Sequence, residues 1–312
     1  MKLKTLLMSA AATLALAPAA MAERGSDGAL NIIMWQAPST MNPYLSGGTK
    51  EIIASSMTLE PLAGMTPDGE HYTRLAAEIP TLENGGIAED LKSVTWKLQE
   101  GLKWSDGSPV TAEDVVFTGQ YCMDPEGGCS QLAKFEGIES IEAVDDLTVR
   151  INFIDAMPDP YSAFVGSQSP ILQKAQFQNC LGANAPTCTD QNFNPIGTGP
   201  FRVTRFLTND VITFEANPEY RDPAKPAFAT ATVKGGGDAA AAARSVLETG
   251  EYDYAWNTQL APDVIAGMEQ MGRGKVSAAF GSLVERIHVN LTDPSSAHPE
   301  GERSTATHPH PF

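Results

Sequence analysis

Basic side chains are scarce in this chain. Its 312 residues hold 21 Lys plus Arg against 38 Asp plus Glu, a formal net charge of −17. Phosphate backbones and anionic bilayers are bound chiefly through Lys and Arg, so nucleic acid and anionic membrane surfaces are excluded as partners. Histidine is limited to five residues. The motifs that would announce chemistry are missing too: there is no G-x-S-x-G, no H-E-x-x-H, no G-x-x-x-x-G-K-[ST], and no G-x-G-x-x-G after a strand. Their absence argues against the common hydrolase, zinc-peptidase and nucleotide-binding classes, and no cofactor is expected. Beyond the first 22 residues no segment reaches the roughly 18 apolar residues needed to span a bilayer. Internal repeats and low-complexity tracts are absent as well. With 42% hydrophobic and 19% charged residues, the composition is that of a folded protein.

What is present begins with a leader. Lys2 and Lys4 precede an apolar run from Leu6 to Leu16, and Ala20-Met21-Ala22 supplies the small residues a signal peptidase reads. The sequence predicts a signal peptide over 1–22, cleavage after Ala22 and a periplasmic location. No cysteine stands at that site, so a lipid anchor is not expected. The acidic mature chain suits a soluble monomer. Four cysteines fit an oxidising compartment. Cys122 and Cys129 bracket one Gly/Pro-rich segment and Cys180 and Cys188 another. Three pairings are open, and local pairing within each segment is the expectation. Neither pair has C-x-x-C spacing or a nearby histidine, which disfavours zinc.

Periodicity then gives an outline. Residues 30–35 read as a short buried strand, followed by a Pro/Ser/Gly-rich loop over 36–49 and a helix over 50–59. Val94, Trp96 and Leu98 alternate with polar neighbours as a strand does. Thr111 opens a helix with a capping-box pattern. Runs 138–144 and 147–153, joined by Asp145-Asp146, read as a hairpin. Farther on come strands at 201–206, 211–216, 230–234 and 252–256. Helices are expected after Asp238 and over 262–271, and a strand over 284–291. Strand and helix alternate at the two ends of this span, an α/β arrangement, while the middle reads as an α+β insertion.

No catalytic constellation emerges. Gly197-Thr-Gly199 reads as a strained turn, and Gly235–Gly237 before Asp238 as a lead into an N-cap. His298, His308 and His310 lie in a Pro-rich stretch without the framework a metal site needs. In open α/β sheets ligands sit beyond the carboxyl ends of strands. Two loops meet that condition: Ser46–Thr49 with Trp35, and Trp256–Gln259.

Four segments carry a family resemblance: LQEGLKWSDGSPVTAEDVVFT (98–118), NPIGTGPFRV (194–203), ANPEYRDPAKP (216–226) and GEYDYAWN (250–257). Together they resemble the family 5 extracellular solute-binding proteins, the peptide, oligopeptide and nickel receptors of ABC importers. The resemblance implies a periplasmic-binding-protein-like fold of type II, with two α/β lobes and an inserted α+β subdomain. Lobe one would be 23–62 with 190–283, and the insertion 63–189. Residues 284–312 would hold a crossing strand and the start of a second lobe that is largely missing, so the chain reads as a C-terminally truncated fragment. The partners implied are a peptide or related small solute and the ABC permease subunits of the inner membrane; peptide is favoured on family frequency alone. The resemblance also places Gly47, Gly48, Thr49, Trp256, Asn257, Thr258 and Gln259 at the ligand cleft and implies no enzyme activity; the cysteine and histidine placement leaves no metal site expected. A secreted hydrolase is the rival from another class, and a solute-binding sensor or chaperone would suit the same fold.

Overall fold

The computed structural model describes residues 27–278. The leader, its cleavage site, the strand expected at 284–291, His288 and the three histidines near the C-terminus lie outside them. Among the described residues the strands and α-helices run in the order β1 (Ala29–Met34), α1 (Thr49–Ser55), β2 (Ala63–Met65), β3 (His71–Thr73), β4 (Ser93–Lys97), α2 (Ala112–Met123), β5 (Ile138–Asp145), β6 (Thr148–Phe153), α3 (Lys174–Phe177), α4 (Thr189–Phe193), β7 (Phe201–Leu207), β8 (Val211–Ala216), β9 (Thr230–Gly235), α5 (Ala239–Leu247), β10 (Tyr254–Trp256) and α6 (Pro262–Glu269). Helix α1 ends at Ser55, earlier than its apolar spacing predicts. There the chain turns, and Met57, Thr58 and Leu59 donate their amides back to Ala54 and Ser55.

Five strands form one mixed sheet in the order β10-β1-β9-β8-β7. Strand β1 lies between β10 and β9, parallel to both, whereas β9, β8 and β7 run antiparallel in turn. A strand buried on both faces needs apolar residues without alternation, which LNIIM supplies. Met34 faces a cluster with Met41, Ala54, Phe201, Ile212, Phe214 and Val233. Ile33 faces the other way, against Ala242 and Val246 of α5. One side of the sheet therefore packs on α1 and the other on α5. The short β10 is pinned at its start, where Asp253 Oδ2 accepts the Asn31 amide at 2.7 Å and the Asp253 amide returns to Asn31 O at 2.9 Å.

Residues 63–189 hold two further sheets, β2-β3 and β4-β6-β5, neither continuous with the first. Their core is aromatic: Trp96, Trp104, Tyr121, Phe164 and Phe177 are all nearly inaccessible. It also takes in Tyr44, Leu59 and Leu62 from the chain before β2. Trp104 is held by its WSDG turn, in which Gly107 adopts φ +86°, and its indole N–H donates to Asp114 at 3.3 Å. Asp114 also accepts the Thr111 amide at 2.9 Å, so one carboxylate caps α2 and fixes the tryptophan. Burial pushes this carboxyl up from the ordinary aspartate range, against the pull of the donors it accepts.

The Gly197-Thr-Gly199 turn departs from expectation. Neither glycine has a positive φ, so backbone strain is not what selects them. Close approach is: a Cβ on Gly197 would lie 1.9 Å from Thr58 O, and one on Gly199 2.8 Å from Met57 O. The Gly199 amide donates to Thr58 O at 2.8 Å, and the Ser105 amide of the WSDG turn donates to Gly197 O at 2.9 Å. Asn217 closes the arrangement, with its side-chain amide on Gly199 O at 2.8 Å.

Gly197→Ala is accordingly expected to cost about 3 kcal/mol or more, because the obstacle is backbone and cannot swing aside. Urea unfolding of the purified variant measures this, and a loss under about 1 kcal/mol would contradict the close-approach account.

Candidate functional site

The three parallel strands β9, β1 and β10 end level with one another. Met34 pairs with Gly235 on one side and Trp256 on the other. Three chain exits therefore leave the same edge of the sheet, at 35–37, 235–237 and 256–259. The glycine triplet is explained by crowding there. A Cβ on Gly235 would come within 2.8 Å of Ala37 Cβ, one on Gly236 within 2.9 Å of Ile33 Cδ1, and Gly237 has φ +82°. The chain leaving β1 thus passes directly over the end of β9. Asp238 Oδ1 accepts the Ala241 amide at 2.7 Å and caps α5.

After β10 the chain hooks at Asn257, whose φ of 55° lies in the left-handed region that asparagine tolerates better than most residues. The Gln259 amide returns to Asn257 O at 3.0 Å, and its side-chain amide reaches Asn257 Oδ1 at 3.2 Å. Trp256, Asn257 and Thr258 are half-buried and Gln259 is exposed. Trp256 packs on the cluster of Met34, Met41 and Ala54, so it belongs in part to the core. Trp35 is also half-buried.

The other predicted group, Gly47, Gly48 and Thr49, lies at the start of α1. Gly47 and Thr49 are exposed, Gly48 is half-buried, and a Cβ on Gly47 would meet nothing within 4 Å. Under Gly48 lies Glu51, only 1% exposed. Its Oε1 accepts the Ser39 amide at 2.9 Å, the Ser39 hydroxyl at 2.8 Å and the Lys50 ammonium. Oε2 has no donor among the described residues, and a Cβ on Gly48 would stand 2.2 Å from it. Burial raises the Glu51 carboxyl, but the Lys50 and Ser39 donors outweigh it and hold the group below the ordinary glutamate range. The two predicted groups flank one hydrophobic cluster through Ala54 and Trp256, and no hydrogen bond joins them among the described residues.

Several residues that shape this region carry no local signature in the sequence. Gln131 and Asn192 reach the loop before α1 from about 90 and 150 positions away. Glu51 sits beside the apolar Ile52 and Ile53, and an acid beside a buried stripe was the one available hint. Both cysteine pairs close locally, Cys122 to Cys129 and Cys180 to Cys188. Among the described residues no group of three His, Cys, Asp or Glu side chains is placed to hold a metal. A groove of about 480 Å³ lies elsewhere, between α4 and β7 at the opposite edge of the sheet from β10. Phe193 and Phe206 stack there at 4.5 Å.

Comparison with known proteins adds a family. The profile of bacterial extracellular solute-binding proteins, family 5 Middle, matches residues 74–295. The oligopeptide-binding protein OppA of Bacillus subtilis is 27% identical over 215 residues, which cover 63% of this chain and 37% of that protein. The crystal structure of Haemophilus influenzae OppA in complex with RPPGFSPFR superposes with a TM-score of 0.66 at 21% identity, covering 79% of this chain and 49% of that one. Campylobacter jejuni NikZ in complex with Ni(L-His) superposes with a TM-score of 0.62 at 24% identity, covering 73% of this chain and 43% of that one. The two structures share the fold of type II periplasmic binding proteins with this chain, which spans less than half the length of each of the three.

The Glu51 network makes a pH prediction. A carboxyl held below its unfolded value contributes stability that is fully present above that value and is lost as pH falls through the folded one. Stability of the wild-type chain should therefore decline as pH drops below the ordinary glutamate value of 4.5, and Glu51→Gln should flatten that part of the decline. Urea midpoints measured between pH 6 and pH 3 check this; parallel curves for the two proteins would contradict it.

Proposed function

This chain belongs to the family 5 bacterial extracellular solute-binding proteins, and from that premise we propose that it supplies one wall of the cleft in a periplasmic receptor delivering peptides, or a related small solute, to an ABC importer. The observation that carries the reading is the level ending of β9, β1 and β10, which sets the exits at 35–37 and 256–259 on one edge of the sheet. Ligands of open α/β sheets gather at such an edge. We assign the solute-facing positions to Gly47, Gly48, Thr49, Trp256, Asn257, Thr258 and Gln259. An indole flanked by carboxamides and a hydroxyl suits a neutral, hydrogen-bonding solute such as a peptide main chain.

The lobe that offers this wall is proposed to comprise 23–62 and 190–283, with 63–189 as an inserted subdomain. In such receptors a second lobe closes over the solute from the far side. The solute shifts open toward closed only by the difference in its affinity for the two states, and the closed shape is what a permease reads. No bond is made or broken in this cycle, so the protein acts by binding alone. The basic and apolar leader supports export to the periplasm with the signal peptide removed after Ala22, and the acidic charge of the mature chain suits a monomer.

The site is tested by Gly47→Trp, since that side chain would enter open space. The thermal midpoint should stay within about 2 °C of wild type. Titration calorimetry with an equimolar pool of synthetic tripeptides, together with native mass spectrometry of protein purified without denaturation, reads binding. With a second lobe present to close over it, solute is expected to be retained, or the pool bound, by wild type, and Gly47→Trp to lose at least 90% of that signal. Equal occupancy in the variant would overturn the site, absence of any bound solute in two-lobed wild type would contradict solute binding, and cleavage of the peptides would favour a hydrolase.

A further inference from the structure

The loop between β1 and α1 is unusual because its middle, residues 40–44, is buried. Thr40, Met41, Asn42 and Tyr44 are all at most 9% exposed, and after Gln36 the chain next becomes exposed at Gly47. A buried loop must find partners for its main-chain groups, and loops for that reason ordinarily run over the surface. The partners here come from two places, each next to a disulfide.

On one side stands Asn192, whose amide donates to Cys188 O at 2.9 Å. Its own carbonyl accepts the Met41 amide at 2.9 Å and the Thr40 hydroxyl at 3.2 Å. Its Oδ1 accepts Asn42 Nδ2 at 2.9 Å, and its Nδ2 donates to Ala185 O at 2.8 Å, inside the loop closed by Cys180–Cys188. On the other side, the two residues after Cys129 take the rest of the loop. The Ser130 amide donates to Tyr44 O at 2.8 Å, and Gln131 Nε2 donates to Pro43 O at 3.3 Å and Ser46 O at 3.4 Å. Tyr121, the residue before Cys122, accepts Asn42 Nδ2 on its hydroxyl at 3.0 Å.

We infer that the two disulfide-closed loops act as a brace, with Gln131 and Asn192 as positioning residues that fix the Gly47–Thr49 segment and so set solute affinity without touching solute. This rests on the assignment of Gly47–Thr49 to the solute site. The brace converts a flexible fourteen-residue connection into a rigid arm, and a preordered arm loses less conformational freedom when solute arrives. Each cystine acts through the residues that flank it and contributes no atom to the site.

The test uses the full chain with Gln131→Glu, which keeps the shape and removes the Nε2 donor, with Asn192→Ala, and with the paired change Cys122→Ala and Cys129→Ala. Amide hydrogen exchange is followed at Met41, Tyr44 and Leu45, with Val233 in β9 as a distant reference. Affinity for the tripeptide pool is measured in parallel. Exchange at the three loop amides should quicken at least tenfold while Val233 stays within twofold, and affinity should fall at least tenfold. Unchanged loop exchange in Gln131→Glu and Asn192→Ala would overturn the brace. A loosened loop with unchanged affinity would instead show that Gly47–Thr49 is not where solute binds, and would overturn the role assigned to the brace through the failure of that assignment. Should the cysteine variant fail to fold, the two single variants decide.

Discussion

The arrangement turns on a buried carboxylate. Glu60, 4% exposed, is gripped by the two terminal guanidinium nitrogens of Arg221, one at 2.5 Å and the other at 2.9 Å, and by the Thr198 hydroxyl at 3.2 Å. Arg74 approaches the same group at 3.8 Å. Burial alone would lower the Arg221 pKa, but the hydrogen bonds and charge of Glu60 raise it. A buried charge left unpaired is costly, so the four segments bearing these groups are constrained to meet. They are the chain leaving α1, the end of β3, the Gly197–Gly199 turn and the loop after β8. The main chain repeats the constraint, since Glu60 O accepts the Ile171 amide at 2.9 Å and Leu62 exchanges bonds with Phe164, Arg74 and Ala76. At this junction the five-stranded sheet and the sheets of 63–189 are joined.

That junction gives the signature segments a physical meaning distinct from ligand binding. WSDG, GTG and NPEYRDP meet one another and the 57–60 backbone through Ser105, Gly197, Gly199, Asn217 and Arg221. None of them lies at the level ends of β9, β1 and β10. Three of the four recognisable segments thus hold the frame, while the fourth, GEYDYAWN, runs into Trp256 and Asn257 at the exit proposed to meet solute. Such a division lets one scaffold accommodate different solutes, as fold and site are separable.

The strands were legible because period-2 patterning and buried apolar runs are local. Trp96 and Val149 alternate with exposed neighbours, and β1 is apolar on both faces. Both disulfide pairings were anticipated from loop length and composition. Less legible were relations that cross the chain. Glycines in GTG look like turn formers until Thr58 is placed against them, and an asparagine at 192 gives no sign of serving residues 40–42. The helix after Gly48 also ends sooner than its pattern suggests, because Ser55 and Thr58 fold the chain toward Glu60. Trp256, expected at the cleft, is half-buried and packs in part on the core.

The measurement that bears most directly on the junction is a double-mutant cycle of Glu60→Gln and Arg221→Met, read by urea unfolding. Arg221→Met should cost about 3 kcal/mol because it strands the buried Glu60, and Glu60→Gln less, since Arg221 keeps some solvent access; the pair should be coupled by about 2 kcal/mol. Two small losses that add within about 0.5 kcal/mol would show that these residues merely sit side by side, and that something else joins the two halves of the frame.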